Sequence, residues 1–313
     1  MQMNITFAGP LTTVVDGGRY GYMSVGFSSG GAMDLYSMRV ANILVGNEMD
    51  EGTLEMTFMG IEADFDSDAV IAVTGADMSP EINGEPMPMY EAVTVHSGDR
   101  LSMKKAKSGM RAYLAVSGGF DIPRVMGSYS TNLKCALGGY EGRKLKAGDA
   151  LPLKRGSRLI AERKTEKENS YEKNISVRVV LGPQSDYFTD KGIRDFLSRP
   201  YTVSDKSDRM GIRLSGEPVE NKNGVDIISD AIVMGSVQIT SSGEPIIMMA
   251  DRQTTGGYAK IATVITADLG LLAQSYPGAE IRFVAVSYNK AVRLLKKQNK
   301  RLFALKRKLN FTK

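Results

Sequence analysis

Hydrophobic residues along this chain come mostly in short runs and alternations, the signature of strands. Leu54, Met56 and Phe58 alternate with Thr53, Glu55 and Thr57, the period of a strand. Short apolar runs follow at residues 69–73, 92–95, 101–103 and 111–116, and again at 177–181, 246–249 and 261–265. Turn signals such as Thr74-Gly-Ala-Asp77 and Asn83-Gly84 separate the earlier runs. Helical spacing is confined to three places. The first lies beyond Asp34, where Leu35, Met38, Ala41 and residues 43–45 share a face; Asp34 supplies an N-cap and Gly46-Asn47 a stop. The others are residues 187–197 and the tail beyond residue 290, where Val292, Leu295, Leu302, Leu305 and Leu309 recur. Many short strands with glycine-rich turns and few helices predict barrels or sandwiches.

The chain has 313 residues, more than one core usually needs, so two packed units are expected. Lys154-Arg155, Arg158, Glu162-Arg163-Lys164, Glu166-Lys167-Glu168 and Glu172-Lys173 form a charged stretch with few apolar residues, and the boundary is placed there. The expected layout is a β-rich subdomain over 1–165, a second over 172–287 and a basic amphipathic helix over 288–313. The stretches Ser97-Gly-Asp-Arg-Leu-Ser-Met103, Ala147-Gly-Asp-Ala-Leu-Pro-Leu153 and Pro277-Gly-Ala-Glu-Ile-Arg-Phe283 echo one another. Two related halves explain that echo, and so does shared turn chemistry.

Charge changes the picture only at the end of the chain. The net charge is +5, but residues 290–313 hold ten Lys or Arg and no acid, which leaves the body at −5. The basic character belongs to the tail and not to a nucleic-acid-binding face. A basic amphipathic helix fits an anionic surface or a docking role; the docking role is favoured. The first ten residues lack a basic region and a long apolar run, and no later stretch is apolar enough to span a membrane. With a single cysteine, Cys135, an intrachain disulfide is excluded, and a reducing cytoplasm is the expected compartment.

Several chemistries drop out. One histidine, His96, and one cysteine make a Ser-His-Asp triad or a Cys/His zinc site unpromising. No Gly-x-x-x-x-Gly-Lys-Ser/Thr loop is present. What remains is catalysis by carboxylates, lysine, arginine and backbone N–H groups. These residue types concentrate in Met249-Ala-Asp-Arg-Gln-Thr-Thr-Gly-Gly-Tyr-Ala-Lys-Ile-Ala262, polar in the middle and apolar at both ends. Adjacent glycines there let the backbone take positive φ and turn its N–H groups toward a ligand. A ligand-binding loop and a solvated loop with self-paired charges weigh equally on residues alone.

Ordered motifs add a resemblance. Leu11-Thr-Thr-Val-Val-Asp-Gly-Gly-Arg-Tyr-Gly21, Ser29-Gly-Gly-Ala-Met-Asp34 and Ala41-Asn-Ile-Leu-Val-Gly-Asn47 open the series. Thr74-Gly-Ala-Asp77, Gly138-Gly-Tyr-Glu-Gly-Arg143, Ser207-Asp-Arg-Met-Gly211, Ile228-Ser-Asp230 and residues 250–262 continue it. With these motifs the sequence resembles the KipA/PxpC family, also known as allophanate hydrolase subunit 2 or carboxyltransferase subdomains A and B, over roughly residues 5–287. It departs from the common pattern at Val15, Phe27-Ser28, Tyr129, Met234 and Ala259.

The resemblance implies a mainly β fold with a few helices, built from two related cyclophilin-like β-barrel units. It implies a KipI/PxpB-like partner, with a PxpA-like subunit alongside, and a small amide or lactam substrate. The leading expectation is a subunit of ATP-dependent 5-oxoprolinase. The alternatives are biotin-dependent carboxyl transfer to urea or another amide, and a non-enzymatic KipA-like regulator. ATP is then a cofactor of the complex, and biotin must come from another chain, because no Met-Lys-Met signature is present. Combined with the residue reading, the candidate catalytic residues are Asp34, Arg209, Asp251, Arg252 and Lys260. The candidate substrate-binding residues are Gly30, Gly31, Gln253, Thr254, Thr255, Gly256, Gly257 and Tyr258. The cations would stabilise negative charge on a carbonyl oxygen, and Asp34 or Asp251 would accept a proton. A buried structural pair, such as Asp208 with Arg209 against a loop backbone, is an equally ordinary explanation.

Overall fold

The computed structural model describes residues 1–156, 163–167 and 170–310; Arg158, Glu162 and Glu168 of the charged stretch and Lys313 of the tail lie outside them. Two units emerge. One comprises Met1–Tyr20, Gly30–Tyr171 and Lys300–Lys313, the other Gly21–Ser29 and Glu172–Asn299. The break at 171–172 falls within the charged stretch, but the exchange of residues 21–29 and of the chain end differs from the linear layout expected above. A composition shift marks only where a chain leaves a unit, not where it returns. The α-helices among the described residues are α1 (Leu35–Leu44), α2 (Asp190–Ser198), α3 (Leu269–Ala273) and α4 (Tyr288–Asn310).

The first unit rests on two antiparallel sheets. One has the strand order Ala150–Pro152, Gln2–Phe7, Glu62–Phe65, Arg100–Ser102, Glu81–Ile82, Glu85–Pro86. The other runs Leu11–Val15, Thr53–Thr57, Ser108–Val116, Ala69–Asp77, Ala92–Val95. Alternation decides what each side of this second sheet covers. Ala112, Leu114 and Val116, with Leu54, Met56, Ile71 and Val73, join Met3, Ile5, Ala63, Phe65 and Leu101 of the other sheet in one core. Tyr113, Ala115, Val15 and Ala72 point the opposite way, onto Val40, Ala41 and Leu44 of α1 and Leu302 and Leu309 of α4. Both faces are therefore covered, and all five residues of Thr53–Thr57 are buried. Glu55 and Thr53 of that strand face the second core rather than water.

Buried Glu55 is accommodated by hydrogen bonds. Its Oε2 accepts from the Met33 N–H at 2.8 Å and the Tyr113 hydroxyl at 2.8 Å. Burial, with the charges of Glu55 and Asp34 nearby, pushes the Tyr113 phenol well above its ordinary pKa, so it remains a donor.

The second unit contains the closed barrel. Its seven strands follow the order Asn174–Leu181, Lys260–Val264, Ser236–Ile239, Pro245–Met248, Gly211–Ser215, Tyr201–Val203, Glu280–Ala285. Closure comes from the parallel pairing of Asn174–Leu181 with Glu280–Ala285. Val177, Val179, Ile212, Leu214, Val237, Ile247, Ile261, Val264, Ile281 and Phe283 are buried. Phe196 of α2 stacks on Phe283 with 4.4 Å between ring centroids, a contact worth about 1 kcal/mol beyond its area. Separate from the barrel, Asp226–Ala231 and Thr255–Tyr258 pair as a two-stranded ribbon. The mainly β class is as expected; a closed barrel forms one unit, whereas two sheets form the other.

Candidate active site

Four of the five candidate catalytic residues, Arg209, Asp251, Arg252 and Lys260, lie within the second unit. Asp251 follows the strand Pro245–Met248 and donates its N–H to the Arg209 carbonyl at 2.9 Å. Arg209 answers with two side-chain bonds, Nε to Asp251 Oδ2 at 2.8 Å and Nη2 to Oδ1 at 3.1 Å. This fork geometry is the strong form of a charge-assisted bond, and it ties the turn Ser207-Asp-Arg-Met-Gly211 to the segment after Pro245–Met248. Next in the chain, Arg252 is 5% exposed. It donates Nε to the Ile232 carbonyl at 3.1 Å, and Nη1 to the Met249 carbonyl and the Ser29 hydroxyl, each at 3.3 Å.

Ile232 leads into the ribbon, where its N–H donates to the Thr254 carbonyl at 3.0 Å. Asp230 then stands opposite Gly256 and Ala231 opposite Thr255. Here the structure corrects the sequence reading. Gly256 and Gly257 sit in the strand Thr255–Tyr258 and neither takes a positive φ. At Gly256 the missing side chain serves packing instead. A Cβ on Gly256 would lie 2.6 Å from Ile232 Cδ1 and 3.0 Å from Gln238 Nε2. Gln238, itself buried, donates to the Tyr258 carbonyl at 3.1 Å. Gln253 and Thr255 are exposed and Thr254 is half-buried.

The ribbon leads to Lys260 at the start of the barrel strand Lys260–Val264. Its ammonium is 3% exposed and bonds Asp230 Oδ2 at 2.9 Å, while Asp230 is 50% exposed. Gln184 also reaches that oxygen, Nε2 to Oδ2 at 3.2 Å. The bond from Lys260, with the Ala231 N–H and Gln184 adding to it, holds the Asp230 carboxyl below its usual range, so it stays an anion through mild acid. Sequence reasoning identifies Lys260 but not its partners. Asp230 stands in the motif Ile228-Ser-Asp230 without a role of its own there, and Gln184 carries no local signal.

Asp34, Gly30 and Gly31 belong to the first unit. Asp34 is 2% exposed and caps α1, Oδ1 accepting from the Ser37 N–H at 3.1 Å and Oδ2 from the Ser37 hydroxyl at 2.7 Å. That is the helix-cap role its position before Leu35 predicts. Gly30 and Gly31 both take positive φ, and a Cβ on Gly31 would approach the Asp16 carbonyl to 3.2 Å. Asp16, absent from the sequence-derived candidates, is the hub of this loop: it accepts from Gly18 N, Ser128 Oγ, Ser130 Oγ and Tyr129 N at 2.6–2.9 Å. Four donors leave this buried carboxylate fully employed. An Asp34→Ala change is expected to lower stability by about 1–2 kcal/mol, with Asp34→Asn recovering most of it in urea unfolding. Normal stability combined with lost turnover would instead return Asp34 to the chemistry.

Among the described residues no cluster of three or more His, Cys, Asp or Glu could hold a metal. No helix among them is long and apolar enough to cross a membrane.

The chain is mainly β and forms two units, one of which contains a closed barrel and an ion-paired ribbon. The chain belongs to the carboxyltransferase domain family, subdomain A and B, whose pattern it matches over residues 25–285. It is 39% identical to the C subunit of 5-oxoprolinase from Escherichia coli over 299 residues, covering 95% of this chain and 96% of that protein. With the C subunit of 5-oxoprolinase from Haemophilus influenzae the identity is 41% over 289 residues, covering 91% of each. The solved structure of K. lactis urea amidolyase matches with a TM-score of 0.91 and 32% identity, over 97% of this chain. This chain spans only 20% of that larger one.

Proposed function

We propose that this chain is a subunit of a cytoplasmic, ATP-dependent 5-oxoprolinase and acts with a KipI/PxpB-like partner, and with a PxpA-like subunit, to open the lactam of 5-oxoproline to glutamate. The observation that carries this reading is identity: two relatives named as the C subunit of 5-oxoprolinase match at 39% and 41%, whereas urea amidolyase of Saccharomyces cerevisiae matches at 33%. Lactam opening breaks the ring C–N bond, places a water oxygen on the carbonyl carbon, and puts negative charge on the carbonyl oxygen on the way. In the second unit Arg252, a buried guanidinium that reaches the start of the ribbon at the Ile232 carbonyl, is the cation assigned to that oxygen. Arg209 is committed to Asp251 and is assigned to holding the turn.

This sequence lacks a P-loop for a nucleoside triphosphate. ATP is therefore assigned to the complex, and no step in this chain runs through it. A biotin-dependent carboxyl transfer is the second reading, favoured by the structural likeness to urea amidolyase; its biotin would arrive on another chain.

Co-expression with a KipI/PxpB-like protein is expected to give one co-eluting species at micromolar concentration in size-exclusion chromatography. The assembled subunits should form ADP and glutamate only when 5-oxoproline is present, and leaving out this chain should abolish both. Separate elution, or product formation without this chain, would remove it from the reaction.

A further inference from the structure

Lys260 presents a problem that its partner only half solves. An ammonium at 3% exposure must be neutralised by an anion. The resident anion, Asp230, is supplied from outside the barrel, by a strand whose residues 226 and 228–231 are exposed and whose pairing slips between Asp226 and Asp230. Ile228, two residues away, is 95% exposed. So the lysine sits deep on a rigid barrel wall, and the carboxylate that covers it is half in water on a lightly held ribbon.

Gln184 completes the pattern. Its backbone N–H donates to the Lys260 carbonyl at 3.1 Å, and its side-chain Oε1 accepts the Lys260 N–H at 3.1 Å. Those two bonds fix the amide so that its Nε2 faces outward, beside the Lys260 ammonium. Both donors converge on one oxygen, Asp230 Oδ2. Rigid parts of the unit thus present an ammonium and an amide N–H aimed at a single carboxylate oxygen. Only the carboxylate comes from the ribbon.

Resting on the reading given under Proposed function, we propose that Lys260 and Gln184 form a carboxylate subsite, that the acid group of a small lactam acid occupies it, and that Asp230 plugs it when no ligand is bound. Exchanging one carboxylate for another keeps the lysine neutralised and both bonds made. The displaced Asp230, already half exposed, regains water. The subsite sits where Asp230 stands opposite Gly256, at the end of the ribbon that follows Arg252. The acid group and the carbonyl of one substrate then have separate anchors, Lys260 for the first and Arg252 for the second. An ordinary ion pair that merely fastens the ribbon to the barrel makes the opposite forecast for Asp230.

Calorimetric titration of the full chain in its complex separates the two, with three probes: 5-oxoproline, acetate (the carboxylate alone) and 2-pyrrolidinone (the lactam alone). Asp230→Ala is expected to tighten acetate and 5-oxoproline by about tenfold, as removing a plug closed about nine-tenths of the time would, and to leave 2-pyrrolidinone unchanged. Lys260→Met should abolish acetate binding, and Lys260→Arg, which keeps the cation if the methionine variant folds poorly, should retain it. If Asp230→Ala leaves acetate binding unchanged or weaker, or Lys260→Met leaves it intact, the subsite is overturned whatever turnover shows. If acetate behaves as expected but the complex never turns over 5-oxoproline, the subsite stands and the assigned reaction falls.

Discussion

Arg252→Ala in the assembled complex is expected to lower kcat for 5-oxoproline about a hundredfold while KM changes little. The magnitude is that of removing one charge-stabilising donor from an oxyanion, roughly 3 kcal/mol of barrier. An effect on kcat alone is the mark of an interaction gained only as charge develops on the oxygen. Arg252 also ties together Ile232, Met249 and Ser29, so a purely structural role is a real competitor. That role predicts another pattern: a lower Tm, with near-normal kcat per folded molecule. Arg252→Lys separates them further, because lysine keeps the charge but lacks the planar fork that reaches several acceptors at once. On the catalytic assignment the lysine variant should recover part of kcat; on the structural one it should be as unstable as the alanine. A well-folded Arg252→Ala enzyme with unchanged kcat would take this residue out of the chemistry.

Much of the fold was legible because burial writes itself into local pattern. Asp34 before an apolar face marked α1, and the runs at 177–181, 246–249 and 261–265 lie in or overlap barrel strands. The ribbon was not legible, for two physical reasons. Ile228 is exposed where apolar patterning predicts burial, and Gly256-Gly257 has the chemistry of a turn but the conformation of a strand. The site was half visible. Its charged residues stand close together in sequence from Asp251 to Lys260. The partners that give them meaning do not: Asp230 lies thirty residues from Lys260 and Gln184 seventy-six. Local pattern carries no information about pairings that the barrel closure creates. The structural alternative read from sequence pairs Arg209 with its neighbour Asp208; the structure instead pairs Arg209 with Asp251 in a two-pronged bond, while Asp208 accepts from the Met210 and Gly211 N–H groups.

Ending the chain after Asn299 is expected to unfold the first unit or bring it close to unfolding, although the part removed is the most basic of the sequence. The reason is its apolar side. Leu302 and Leu309 are 3% and 5% exposed and pack in the same core as Val15, Leu44, Tyr113 and Ala115, with Leu305 half-buried against it. Each lost buried leucine removes about 2–5 kcal/mol including the cavity it leaves. Two together reach a large share of the roughly 5–15 kcal/mol that holds a typical domain. Polar contacts at this end are smaller contributors: Lys306 reaches Glu48 at 2.6 Å and Arg163 Nη2 reaches the Leu309 carbonyl at 2.8 Å, with Glu48 largely exposed and screened. An electrostatic-arm role for the tail makes a different forecast. Under it, truncation leaves the urea midpoint intact, and replacing Lys296, Lys297 and Lys300 by glutamine abolishes whatever the tail does. The docking role predicts that those three exposed positions tolerate glutamine with less than about 0.5 kcal/mol of change each. It also predicts that the single change Leu302→Ala lowers stability by about 3 kcal/mol, read as a shift of the urea midpoint at unchanged slope. A truncated chain that keeps the full-length midpoint would show that the first unit's second core closes without α4.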